Sequence, residues 1–85
     1  MTFQFTKNGL QSLEALDKAV KTRILKKLKI WQKHNTPLSF AKPIKEIKGL
    51  FRFRVGDYRI IVSPNYEQNT LDILKAGHKT KVYDF

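Results

Sequence analysis

From Phe51 to Val55 apolar and basic residues alternate. Phe51, Phe53 and Val55 fall on one side of an extended chain, Arg52 and Arg54 on the other. Gly56-Asp57 follows, and a glycine at the first central position predicts a two-residue type II′ turn. That turn sets a register, pairing Val55 with Tyr58, Arg54 with Arg59 and Arg52 with Ile61, so Tyr58 to Val62 is the return strand. Upstream, Thr2 to Phe5 alternates with Phe3 and Phe5 on one face, and predicts a short first strand. Leu10, Leu13 and Leu16 then recur at helical spacing behind Thr6, a candidate N-cap, and predict a helix ending near Leu16. Asp17 is placed to cap a second helix reaching Lys33 or His34. Its apolar stripe of Val20, Ile24, Leu28 and Trp31 is a core face, and Lys26, Lys29 and Lys33 project from the opposite side.

Asn35-Thr36-Pro37 ends this second helix. Leu38 to Pro43 reads as an irregular connection, and Pro43 confines any strand there to a sheet edge. Ile44 and Ile47, interspersed with Lys45, Glu46 and Lys48, lead to Gly49, whose tolerance of positive φ suits a bend before the arginine strand. Residues 64–69 form a polar turn. Leu71 to Leu74 begins a last strand that ends at Lys75-Ala76-Gly77, where the glycine can turn the backbone into His78-Lys79-Thr80-Lys81-Val82-Tyr83. The expected fold is therefore α+β over one domain, residues 1–85: an N-terminal strand, a helical hairpin, then a three-stranded antiparallel meander. The helices pack on one face of the sheet and the arginines line the other.

Charge sharpens the picture. Seventeen Lys and Arg against seven Asp and Glu give a formal net charge of +10 in 85 residues, which points to a polyanionic or acidic partner. Like charges directly opposite across a ladder destabilise it by roughly 0.2–1 kcal/mol, so Arg54 beside Arg59 suits a phosphate-binding surface better than an idle outer face. Cysteine is absent, which removes disulfides and thiolate metal sites. The sequence carries no phosphate-cradling Gly-rich loop, no carboxylate cluster for a metal and no Ser-His-Asp spacing. No apolar run approaches the roughly 20 residues of a transmembrane helix, and the N-terminus lacks a signal-peptide pattern, so a cytoplasmic protein without a membrane partner is expected.

At Ile47-Lys48-Gly49-Leu50, Phe53-Arg54-Val55-Gly56-Asp57-Tyr58-Arg59-Ile60, Gly77-His78-Lys79 and Val82-Tyr83 the chain resembles the RelE/ParE superfamily of bacterial toxins, and the similarity covers nearly its whole length. The resemblance is to the superfamily, which includes RelE-like toxins that cut messenger RNA in the ribosomal A site and ParE-like toxins that poison DNA gyrase. The leading expectation is a RelE-like, ribosome-dependent endoribonuclease, for which the resemblance implies metal-independent, cofactor-free attack of a ribose 2′-hydroxyl on the adjacent phosphate; the alternatives are a ParE-like gyrase inhibitor and a non-catalytic RNA-binding or degenerate toxin. The resemblance also implies a cognate antitoxin whose acidic or amphipathic segment covers the basic surface.

Carried onto this sequence, the resemblance implies that Arg59 stabilises the transition state through its planar fork, while Arg54 and Arg52 hold the RNA backbone and share the charge. His78 is the first candidate for proton transfer, because an imidazole changes charge near neutral pH. Tyr83 stacks on a splayed base or takes part in proton transfer. Lys48, Lys75, Lys79 and Lys81 are phosphate contacts. His34 is read as surface. Glu46, although a carboxylate acts near the site in some relatives, does not match the local register and is set aside.

Overall fold

The computed structural model describes residues 1–83. In chain order the elements are β1 (Thr2–Phe5), α1 (Lys7–Glu14), α2 (Lys18–Gln32), a 3₁₀ turn (Pro37–Phe40), β2 (Lys42–Pro43), β3 (Phe51–Val55), β4 (Tyr58–Asn65) and β5 (Thr70–His78). The helix starts are the expected ones. Thr6 accepts from the Gly9 N–H, and the Asp17 carboxylate accepts from the N–H groups of Ala19 and Val20, each satisfying donors that the first turn leaves unpaired. The first helix ends at Glu14, two residues short of the expected Leu16. No helix among the described residues is long and apolar enough to cross a membrane.

The strands form one sheet in the order β1-β5-β4-β3-β2, with β1 parallel to β5 and the other neighbours antiparallel. The β3–β4 hairpin has the register expected of its turn, Arg54 opposite Arg59 and Val55 opposite Tyr58. Gly56 lies at φ +58°, where an L side chain is strained, and Asp57 does not share that region. Three details differ from the sequence reading. The connection after α2 is a 3₁₀ turn followed by the two-residue edge strand β2, and Pro43 sits on that edge, where its missing donor breaks no ladder. Next, β4 runs on through Pro64 to Asn65, where β3 has already ended and only β5 remains beside it. Finally, β5 does not end at Lys75-Ala76-Gly77 but runs on to His78. Gly77 pairs with Arg59 and His78 with Tyr58, so the chain turns only after His78.

Both helices pack on one face. Ile24, Leu28 and Trp31 of α2 and Leu13 of α1 meet Phe53, Val55, Ile60, Val62, Leu71, Ile73 and Ala76 in the main core. Each fully buried aliphatic or aromatic side chain contributes about 1.5–3 kcal/mol. Phe53, touching the rings of Phe3 and Trp31, is the centre of this layer. Helix α1 also protects an edge. Beyond Ile73, among the described residues, no strand covers the outer side of β5, and α1 takes over: Thr6 donates from its N–H and hydroxyl to the Ile73 carbonyl, and the Ala76 N–H donates to the Ser12 hydroxyl. This requires close approach, and a Cβ on Gly9 would meet the Ile73 carbonyl oxygen and carbon. Gly9→Ala should therefore destabilise the protein by about 1–3 kcal/mol or more, although alanine is the better helix former. Urea unfolding checks this, and an unchanged midpoint would mean that α1 shifts freely on the sheet.

Candidate functional site

Alternation along the strands decides what the second face carries. Two of its cross-strand rows carry the basic residues: Lys42, Arg52, Ile61 and Lys75, then Arg54, Arg59 and Gly77. Lys42 stands directly opposite Arg52, and Arg54 directly opposite Arg59. Two like-charge pairs thus occupy neighbouring rungs, each unfavourable by roughly 0.2–1 kcal/mol.

Only part of this face is covered. Ile61, fully buried, forms a small second core with Ile44 and Val82, and Leu50 packs against it. Ile44 comes from the loop between β2 and β3, which folds back through hydrogen bonds from the Ile44 N–H to the Leu50 carbonyl and from the Ile47 N–H to the Ile44 carbonyl. Val82 comes from the turn after β5, closed by the N–H groups of Lys81 and Val82, which both donate to the His78 carbonyl. The hairpin tip secures the same turn: the Lys79 N–H donates to the Asp57 carbonyl at 2.8 Å, and the Lys79 ammonium lies 3.6 Å from the Asp57 carboxylate.

Between the loop and the turn lies an open cleft of about 830 Å³, into which Arg52, Arg59, Lys79, Tyr83 and Glu46 converge, with Ile44, Ile47 and Thr80 also lining it. One Nη of Arg59 donates to the carbonyls of Gly56 and Tyr58 at 2.9 and 3.0 Å, so its guanidinium is aimed before any ligand arrives. Tyr83 is 41% exposed and its ring is open to contact. Two guanidiniums, an ammonium, a carboxylate and a phenol around one cleft can bind a phosphodiester, offset charge that builds on it, and move a proton.

Four of the expected site residues therefore meet here: Arg52, Arg59, Lys79 and Tyr83. Lys75 lies on the same face, half-buried opposite Ile61. Arg54 turns away from the cleft. Its Nε donates to the Gly56 carbonyl at 3.3 Å, the oxygen that Arg59 also uses, and its side chain borders a separate depression against α2. Lys48 and Lys81 are exposed and do not line the cleft.

His78 is not brought into the cleft. With β5 continuing through Gly77, alternation sends His78 to the helix side, where its ring meets Tyr58 edge to face at 5.4 Å. Its Nδ1 accepts from the Thr80 N–H and lies 2.9 Å from the Thr80 hydroxyl, which leaves the ring hydrogen on Nε2. Glu46, set aside on sequence, lines the cleft instead. The usable signal was the pair Ile44 and Ile47 in an otherwise polar loop; Ile44 is the one that is buried, and it carries Glu46 with it.

The family model for the ParE toxin of type II toxin–antitoxin systems, parDE, matches residues 3–83. Among solved structures, a chain of the RelBE2 toxin–antitoxin complex of Mycobacterium tuberculosis superposes with a TM-score of 0.79 at 26% identity, over 91% of this chain and 95% of that one. The archaeal RelE–RelB complex of Pyrococcus horikoshii gives 0.69 at 27% identity, over 95% and 97%. The RelB–RelE complex of Methanococcus jannaschii gives 0.72 at 26%, over 94% of each chain. No curated protein sequence matches the chain.

The like-charge pairing has a measurable consequence. Replacing Arg52 by Thr, a good strand former, removes the cation opposite Lys42 and should raise stability at low salt by about 0.2–1 kcal/mol, with the gain fading at high salt. The same variant should bind single-stranded RNA more weakly, its plot of log affinity against log salt shallower by about 0.7 if one phosphate contact is lost. Urea melts and a salt titration of RNA binding check both halves. Lower stability at low salt would mean that packing of the Arg52 stem outweighs the repulsion.

Proposed function

The chain belongs to the ParE toxin family of type II toxin–antitoxin systems, and from that premise and the cleft we propose that it acts as a RelE-like, ribosome-dependent endoribonuclease that cuts messenger RNA and arrests translation. The observation that carries this reading is the convergence of Arg52, Arg59, Lys79, Glu46 and Tyr83 on one open cleft. The solved relatives from Mycobacterium tuberculosis, Pyrococcus horikoshii and Methanococcus jannaschii, each above 25% identity, come from RelE–RelB type complexes, which favours the same branch. On this reading residues 1–85 act as a single domain in the cytoplasm, where ribosomes are, and a cognate antitoxin with an acidic or amphipathic segment covers the basic surface.

In the proposed reaction the phosphate between two nucleotides sits against Arg59 and Arg52. The Glu46 carboxylate takes the proton of the ribose 2′-hydroxyl, whose oxygen attacks the adjacent phosphorus. The bond from phosphorus to the 5′-oxygen of the next nucleotide breaks, and the Lys79 ammonium supplies that oxygen with a proton. The products are a 2′,3′-cyclic phosphate and a free 5′-hydroxyl. Arg59, held by two backbone carbonyls, meets the growing negative charge without reorganising, which is what makes a donor effective in a transition state. Tyr83 offers its face to a base splayed out of the message. His78, on the far side of the sheet, acts on the cleft only through Thr80, as a support for the turn.

One observation favours a second reading. The matching family description is that of ParE toxins, and the superfamily's gyrase poisons use the same scaffold. That activity does not require Glu46, Arg59 and Lys79 to share one cleft.

Primer extension on a defined message in a purified translation system, with and without ribosomes, separates the two. Arg59→Ala should cut about 10²–10³-fold more slowly with its fold unchanged, and cuts should be confined to ribosome-bound message. Intact message beside inhibited gyrase would overturn the nuclease reading. Within the nuclease reading, Glu46→Gln should lose about 10²-fold or more in rate, and His78→Ala should lose less. The reverse order would return proton transfer to His78.

A further inference from the structure

Besides the Tyr83 phenol, the cleft lining carries one hydroxyl, that of Thr80. Where its hydrogen points is decided outside the cleft, by His78. The Nδ1 of His78 lies 3.2 Å from the Thr80 backbone nitrogen and 2.9 Å from its Oγ1. A backbone N–H can only donate, so Nδ1 is the acceptor and carries no hydrogen. The hydroxyl must then be the donor in the second contact. It has a single hydrogen, and with that hydrogen held on Nδ1 its oxygen faces the cleft as an acceptor only.

The groups around this pair are fixed before any ligand arrives. Tyr58 meets the imidazole edge to face at 5.4 Å. The turn that carries Thr80 is pinned by the Lys79 N–H on the Asp57 carbonyl, by the N–H groups of Lys81 and Val82 on the His78 carbonyl, and by the full burial of Val82.

An acceptor-only oxygen is a poor neighbour for a phosphate, whose outer oxygens are acceptors too. It suits a donor. Arg52, Arg59 and Lys79 already offer the phosphodiester its donors, and in the reaction proposed above the Glu46 carboxylate takes the ribose 2′-hydroxyl. Thr80 is left with Ile47, 38% exposed, and the ring of Tyr83, 41% exposed, two apolar surfaces open to a flat ligand. A nucleobase resting on them brings its edge to Thr80. On that edge adenine and cytosine carry an amino group where guanine and uracil carry a carbonyl.

We propose that Thr80 selects the base held in this cleft, accepting from the amino group of adenine or cytosine and disfavouring the carbonyl of guanine or uracil, and that His78 is the positioning residue that gives Thr80 this polarity. An amino group pairs with the Thr80 oxygen, whereas a carbonyl set against it leaves two acceptors unpaired. Assigning the cleft to a nucleotide rests on the function proposed above; the polarity of the hydroxyl does not. His78 thereby affects the cleft without entering it and without passing a proton to the substrate.

Tetramers of deoxycytidine and of deoxyuridine differ in this group at every base, so their comparison does not depend on which base enters the cleft. Lacking a 2′-hydroxyl, neither can be cut. Titrated into the isotope-labelled protein at low salt, both should move the signals of Thr80 and Tyr83. The cytosine tetramer should bind about threefold to tenfold more tightly, the range of one net hydrogen bond. Thr80→Val, at an exposed position, should keep the fold, weaken the cytosine tetramer and erase the preference. His78→Ala should erase it in another way, by freeing the hydroxyl to donate, so that the uracil tetramer binds better. His78→Asn, whose side-chain oxygen stands in for Nδ1, should keep the preference, which a merely structural role for His78 does not require. Equal binding of the two tetramers by the natural chain, a preference retained in Thr80→Val or His78→Ala, or one lost in His78→Asn would overturn the proposal. If the tetramers are distinguished as described but no message is cut, base selection stands and the nuclease reading falls. If message is cut with the same base preference by the natural chain and by Thr80→Val, the reverse holds.

Discussion

Ile61 sits at the point on which the functional face depends. It is the one apolar side chain in its cross-strand row, flanked by Arg52 and Lys75 and fully buried. Two helices cover the opposite face of the sheet, and among the described residues none covers this one. The burial of Ile61 therefore has to come from loops, and Ile44 and Val82 are the residues that supply it. That small cluster draws the loop before β3 and the turn after β5 toward each other across a field of cations. The cleft is what remains between them. Glu46 stands two residues from Ile44 and Tyr83 one residue from Val82, so the placement of both follows from where those anchors are buried.

The basic face has an internal tension. Lys42 against Arg52 and Arg54 against Arg59 are unfavourable neighbours, and among the described residues the one ion pair on this side joins Lys79 to Asp57. A sheet designed only to fold would place Thr or an opposite charge at these positions. The hairpin instead ties both arginines to its own turn, where each donates to the Gly56 carbonyl, an acceptor that offsets part of their repulsion. This arrangement fixes both cations at the hairpin tip. It also divides the arginines between two surfaces, Arg59 toward the cleft and Arg54 toward α2. The Gly-Asp turn is thus the junction between the two regions as well as the hairpin's end.

Strand periodicity is local, so much of the architecture was legible in the sequence. The caps at Thr6 and Asp17, the stripe from Val20 to Trp31, the hairpin register and the separation of arginines from the helix-covered face all follow from spacing and turn chemistry within a few residues. So did the α+β class, and with it the convergence of Arg52 and Arg59. What the sequence alone left undecided is set by contacts between distant segments. Whether Gly77 turned the chain or continued the strand depended on pairing with Arg59, and nothing near Gly77 specifies that partner. Because side chains in a strand alternate with a period of two, that continuation sends His78 to the helix side and out of the cleft. Glu46 reaches the cleft for the complementary reason: Ile44 is buried against Ile61 and Val82, residues far from it along the chain. Local patterning decides which residues share a face of an element, and only tertiary burial decides which loops close over that face and what they carry with them.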